Sequence, residues 1–210
     1  RIAEGEITQI GSLPAEGAQR ISLPNDIAVD ASGNVYVADV DSSLRRIWRF
    51  APGESAGEIW WIAPEDPANP AGLAYDSTNQ RLLVTEVARD LIYAIPLDAE
   101  VPSDATEIIY RYAGAASEAP GLNGITVAPD GTIYVAELGQ NQVARLEDGM
   151  LVTLAGGYRG SSDVAYDATT DRLFVNNWDQ SWLVPVQFFI VRFYVEPRLP
   201  FSLDVVEFGG

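Results

Sequence analysis

Three short clusters of oxygen-bearing side chains stand just ahead of apolar runs in this chain: Asn25-Asp26, Asn123 and Ser162-Asp163. Carboxylates, amides and a hydroxyl are hard donors of the kind calcium takes, because that ion accepts many oxygens in a flexible shell. Asp163 or Asp26 could also act as a general base, a role that needs only a carboxylate within reach of a proton. The competing reading is local: Asn, Asp and Ser before a strand commonly satisfy turn amides. A second set, Asp39, Glu86, Glu137 and Asn177, closes four apolar runs. These residues could ring an opening with negative charge, but their repeated position points first to capping of backbone N–H groups.

The remaining composition narrows the chemistry. The 210 residues include no His and no Cys. A histidine base, a Ser-His-Asp triad, a cysteine nucleophile, a His/Cys zinc site and a disulfide are therefore excluded within them. The formal charge is −17 and all 13 basic residues are arginine, which argues against nucleic acid or an anionic membrane as partner. Neither a phosphate loop nor a dinucleotide fingerprint is present. The longest apolar stretch, Val184 to Val195, is broken by Pro185, Gln187 and Arg192 and is too short for membrane insertion. No signal peptide is visible at Arg1; the expectation leans to an extracellular or periplasmic setting, since a mature secreted chain would have lost one.

The elements that must position these residues are legible as a repeat. Ile27-Ala28-Val29-Asp30 through Val35-Tyr36-Val37-Ala38-Asp39 returns at Leu73, Ile125 and Val164. The spacings are 46, 52 and 39 residues (27 to 73, 73 to 125, 125 to 164), which suits a four-stranded propeller blade. The second strand of each unit is apolar on both faces, so both faces are buried, as happens when blades pack around an axis. The predicted fold is an all-β β-propeller forming a single domain over 1–210. It has antiparallel four-stranded blades at about 22–62, 70–113, 121–156 and 161–196. Strands of the fourth blade are predicted near 163–167, 172–177, 181–187 and 189–195. Segments 5–13 and 199–208 read as parts of a split fifth blade, which either closes a small ring or belongs to a longer propeller.

Asp30, Asp76, Asp130 and Asp167 read as turn-formers. Arg45, Arg46 and Arg49 form the only basic cluster, with paired surface charge as its default role. Of Trp48, Trp60, Trp61, Trp178 and Trp182, most suit packing between blades. Trp178 is the candidate for ligand contact.

Pro24-Asn25-Asp26-Ile27 through Tyr36-Val37-Ala38-Asp39, and Asn123-Gly124-Ile125 with Pro129-Asp130-Gly131-Thr132-Ile133-Tyr134, resemble the NHL repeat and the gluconolactonase/regucalcin-like six-bladed β-propellers. The likeness covers about residues 22–177. It implies a divalent cation, usually calcium, in the central channel. Asn123 would match the metal-binding asparagine and Asn25 the substrate-contacting one. Asp163 lies near the metal-binding aspartate, although Ser162 occupies that slot in an ungapped alignment. The glutamate ligand of that family has no match here. Two functions follow from the resemblance. One is a divalent-metal-assisted hydrolase of a small lactone or ester at the central channel. The other is a non-catalytic NHL-type propeller that binds a protein, glycan or small ligand on one face. An incomplete propeller without independent function is a third.

Overall fold

A computed structural model describes residues 2–3, 6–13, 22–41, 44–178, 183–186, 190–193 and 202–208. Two short strands, β1 (Ile2–Ala3) and β2 (Glu6–Ile7), pair antiparallel at the start. Three four-stranded antiparallel blades follow in simple up-and-down order. The first holds β3 (Pro24–Val29), β4 (Val35–Asp39), β5 (Arg46–Phe50) and β6 (Glu58–Ile62). The second holds β7 (Pro70–Asp76), β8 (Arg81–Glu86), β9 (Leu91–Pro96) and β10 (Glu107–Arg111). The third holds β11 (Leu122–Val127), β12 (Ile133–Glu137), β13 (Gln142–Glu147) and β14 (Met150–Gly156). In the fourth, β15 (Ser161–Asp167) pairs with β16 (Arg172–Asn177). The innermost strands β3, β7, β11 and β15 lie side by side around the axis.

Each blade buries its two faces against different neighbours, as the doubly apolar strands require. Between the first two blades, Tyr36, Ala38, Ile47 and Trp61 meet Leu73, Leu82, Val84 and Tyr93. Leu83, Ile92 and Ala94 then meet Leu122, Ile125 and Val135. Tyr134, Ala136 and Val143 meet Val164, Leu173 and Val175. Trp60 and Trp61 pack edge-on to Tyr36 and Tyr93, with centroids 4.8 and 5.4 Å apart. The expected packing role of these rings therefore holds. On the first blade, Ile27 takes the place of Leu73 and Ile125 but is 61% exposed, where they are 4% and 3%.

The fourth blade departs from the predicted strand order. Leu183–Val186 and Ile190–Phe193, β17 and β18, pair with each other as a separate hairpin. The third place in the sheet goes to β19 (Leu203–Glu207), antiparallel to β16 from Asn176↔Leu203 to Arg172↔Glu207. The contacts of β19 are partly apolar. Val206 and Phe208 join the core of that blade, and the Phe208 ring stacks on Tyr134 at 5.4 Å. An ion pair from Arg172 to Glu207 at 2.9 Å and a bond from Asn177 Nδ2 to Asp204 at 2.7 Å secure the edge. Segments 5–13 and 199–208 were expected to share a blade. In the structure Glu6–Ile7 pairs with Ile2–Ala3, and Ser12 bridges Ala56 beside the first blade.

Candidate functional site

One geometric device recurs at the inner end of every blade. The ladder between first and second strands slips between Pro24 and Ile27, Pro70 and Leu73, Leu122 and Ile125, and Ser161 and Asp163. A bulge bends its strand and re-aims the extra residue. It frees the dipeptides Asn25-Asp26, Ala71-Gly72 and Asn123-Gly124 in the first three blades and Ser162 in the fourth, where Asp163 already pairs with Asn176. Residues far apart in sequence thus share one cavity of about 290 Å³, lined by Asn25, Asp26, Asn123, Ser162, Asp163 and Trp178, together with Gly124 and Asn176. All six residues singled out for the site from sequence line this one opening.

Hydrogen bonds set how each side chain is held. Asp26 accepts the N–H of Ile27 on one oxygen and that of Leu73, in the next blade, on the other, both at 2.7 Å. Asp163 accepts Val164 N–H at 2.8 Å on Oδ1, and Oδ2 has no hydrogen-bond donor among the described residues. Asn25 spends its Nδ2 on Ala71 O at 3.1 Å, keeping Oδ1 as an acceptor. Ser162 and Asn176 are tied together, Nδ2 to Oγ, at 3.2 Å. Trp178 donates its backbone N–H to Gly160 O at 2.8 Å, and the residue is 42% exposed.

The electrostatics follow from two carboxylates in a recess. Asp163 is reached by water but crowded by protein. This restricted hydration, and next the Asp26 charge, push its pKa up to about 6 despite the Val164 hydrogen bond. Burial also raises Asp26, against the opposing pull of the Leu73 and Ile27 amides. Two like charges with few donors fit a divalent cation, and the other oxygens, from Asn25, Asn123 and Ser162, are of the hard type calcium accepts. No group of three or more Asp, Glu, His or Cys gathers among the described residues. Amide and hydroxyl oxygens must therefore supply the rest of any cation shell.

Three of the second acidic set cap backbone N–H groups as expected, whereas Glu137 accepts the Gln142 side-chain amide instead. Asp39 accepts Leu23 N–H at 2.9 Å, Glu86 accepts Asn69 N–H at 2.6 Å, and Asn177 accepts Arg159 N–H at 2.9 Å. Each pins the chain entering its own blade. Asp30, Asp76, Asp130 and Asp167 accept amides within their turns, as expected. Of the arginines, Arg45 and Arg49 form the surface pairs anticipated, with Asp66 and Glu58. Arg46 does not: it is 3% exposed, paired with Asp39 at 3.2 Å and stacked over Trp48. Trp182 lies outside the described residues.

Sequence reasoning missed Asn176, Gly124 and Thr85. Asn176 could have been found, since it replaces the alanine of Ala38 and Ala136 at a strand end already under consideration. Gly124 bears no reactive group; its importance is the space it leaves. Thr85 sits at the same repeat position as Asn176, and only the geometry shows what it touches.

Comparison with known proteins agrees with this architecture. The chain belongs to the SMP-30/Gluconolactonase/LRE-like region family, which matches residues 1–155. Among solved structures it is similar to virginiamycin B lyase from Staphylococcus aureus, at 19% identity and a TM-score of 0.59 over 76% of this chain and 50% of that one. A gluconolactonase from Xanthomonas campestris gives 19% identity and a TM-score of 0.60 over 83% of this chain and 60% of that one. The nidogen/laminin complex gives 16% and 0.60 over 74% and 57%. The chain thus spans about half to three-fifths of the length of these relatives, and at such identities the likeness is one of fold. No protein of curated function matches the sequence. Among the described residues, no helix is long and apolar enough to cross a membrane.

Proposed function

We propose that this propeller is a divalent-cation-assisted hydrolase of a small lactone or ester, working in the axial opening. The observation that carries the reading is the meeting of Asp26 and Asp163, with Asn25 and Asn123, in one cavity. Asn123 and Asp163 would hold the ion, calcium by the hardness of their oxygens, and when bound it would polarise the acyl carbonyl. Asn25 Oδ1 and the Trp178 ring orient the substrate. Asp163, with one anchored and one open oxygen, takes the proton of the attacking water, and Asp26 stands as the second base. The water oxygen bonds to the acyl carbon and the ring C–O bond breaks. The departing oxygen then recovers the proton, leaving a hydroxy acid.

The test is thermal melting under calcium titration, with turnover of a simple lactone in parallel. A calcium-dependent rise in melting temperature that Asn123→Ala abolishes, together with turnover, is expected. No shift with calcium, magnesium, manganese or zinc would favour the second reading, a non-catalytic NHL-type module that binds a protein, glycan or small ligand. The fold's likeness to a nidogen/laminin complex and the exposed apolar Ile27 and Val29 support that alternative.

A further inference from the structure

Thr85 is an oddity of the repeat. Its counterparts are Ala38, Ala136 and Asn176, so a hydroxyl stands where two of the other three blades have a methyl group. The residue is fully buried, at 0% exposure, and a buried hydroxyl needs partners. It has two. Thr85 Oγ1 accepts the Gly72 N–H at 2.8 Å and donates to the carbonyl oxygen of Asn123 in the next blade.

The neighbouring junction explains why. Between the first and second blades, the carbonyl equivalent to that of Asn123 belongs to Ala71, and the Asn25 side-chain amide is its donor. Between the second and third blades the residue in the place of Asn25 is Ala71, which has no side-chain donor. The Thr85 hydroxyl supplies what Ala71 lacks, reaching the same carbonyl from the second strand. Gly72 makes the approach feasible: a β-carbon there would stand 2.3 Å from Asn123 O and 2.9 Å from Thr85 Oγ1. The Asn123 side-chain amide, meanwhile, has no hydrogen bond among the described residues, so its backbone is the hydrogen-bonded part that anchors it.

We infer that Thr85 is a positioning residue for Asn123, fixing through the backbone carbonyl the place from which the Asn123 amide enters the axial cavity. The inference rests on the cation reading for its consequence, but not for its geometry. Thr85→Val keeps the shape and removes the hydroxyl; Thr85→Ser keeps the hydroxyl.

Two measurements on the full chain separate the inference from the reading it builds on. The first needs no cation. The Asn123 side-chain NH2 resonances should shift in Thr85→Val, and the Gly72 amide should lose protection from hydrogen exchange; both should return towards wild type in Thr85→Ser. Unmoved Asn123 resonances in a folded Thr85→Val protein would overturn the inference, whatever calcium does. The second is calcium affinity by calorimetry. Thr85→Val should weaken it by roughly tenfold, the scale on which supporting hydrogen bonds tune metal sites, and Thr85→Ser should restore it. Equal calcium affinity in the Val variant and wild type overturns the inference and leaves the cation site standing. Absence of calcium binding in wild type overturns the site, and the resonance test then decides the inference by itself. If Thr85→Val does not fold, Thr85→Ala, the residue of two other blades, takes its place in both measurements.

Discussion

Gly124 lies so close to Asp163 that a β-carbon on the glycine would stand 2.1 Å from the carboxylate Oδ1 and 2.5 Å from its Cα. The obstacle is partly backbone, so it cannot swing aside. The innermost strands of the third and fourth blades approach as closely as they do because this position is bare.

Gly124→Ala should therefore separate β11 from β15 and cost about 1–3 kcal/mol, the usual range for overpacking. Calcium-dependent stabilisation should fall with it. Gly156→Ala is the matched control, since nothing lies nearer than 3.4 Å to its added carbon, and it should stay within about 0.5 kcal/mol of wild type. Urea unfolding of both variants checks this; equal stability of the two would contradict the close approach.

Asp163 gives the pH dependence. Its carboxyl is raised from 3.8 to about 6 in the folded protein. The folded state therefore holds this proton more tightly than the unfolded state does, and stability from this group is lost as pH climbs from about 4 to about 6. Asp30, Asp39 and Asp76 are shifted down by their hydrogen-bond donors, which outweigh burial. Their stabilisation is present above the unfolded pKa and disappears as pH falls through the folded one. The Asp163 contribution is isolated by comparing wild type with Asp163→Asn. Wild type should lose stability relative to the variant between pH 4 and pH 6. Carboxyl-carbon NMR should show Asp163 titrating near 6 in the cation-free protein and lower once calcium is added.

On the proposed function, Asp163→Asn should abolish lactone turnover, and Trp178→Ala should raise KM with kcat largely kept. Steady-state kinetics on the calcium-loaded protein separate the two. A Trp178→Ala protein with unchanged KM would remove that ring from substrate contact.

Asp39 should be the costliest surface-distant residue to lose. It is fully buried and receives the Leu23 N–H, the Arg46 guanidinium and the Trp48 indole N–H. Asp39→Ala leaves the Arg46 charge without this partner in the interior, a loss of about 3–5 kcal/mol. A denaturation midpoint close to wild type would show that the pair contributes little.

The fold was legible because the repeat is carried by side chains whose burial the sequence displays. Tyr36, Leu83 and Tyr134 occupy one register, and Val37, Val84 and Val135 the next, so the blades and three of their four strand sets followed directly. The membership of the candidate opening was legible, since Asn25, Asp26, Asn123, Asp163 and Trp178 line one cavity. Two things were hidden. That Leu203–Glu207 rather than Leu183–Val186 is the third strand of the fourth blade goes with long-range contacts such as Phe208 stacking over Tyr134, which have no local signature. The roles of Gly124 and Thr85 depend on the distance between blades, which composition does not encode.

The bare positions have an evolutionary corollary. Gly72 makes room for Asn123, and Gly124 makes room for Asp163, so each of these two cavity residues depends on an absence about forty to fifty positions upstream, in the preceding unit. Exchanging one blade alone by recombination would bring in a residue without its vacancy, or a vacancy without its residue. Side chains at the hub of such a wheel should be inherited in adjoining pairs.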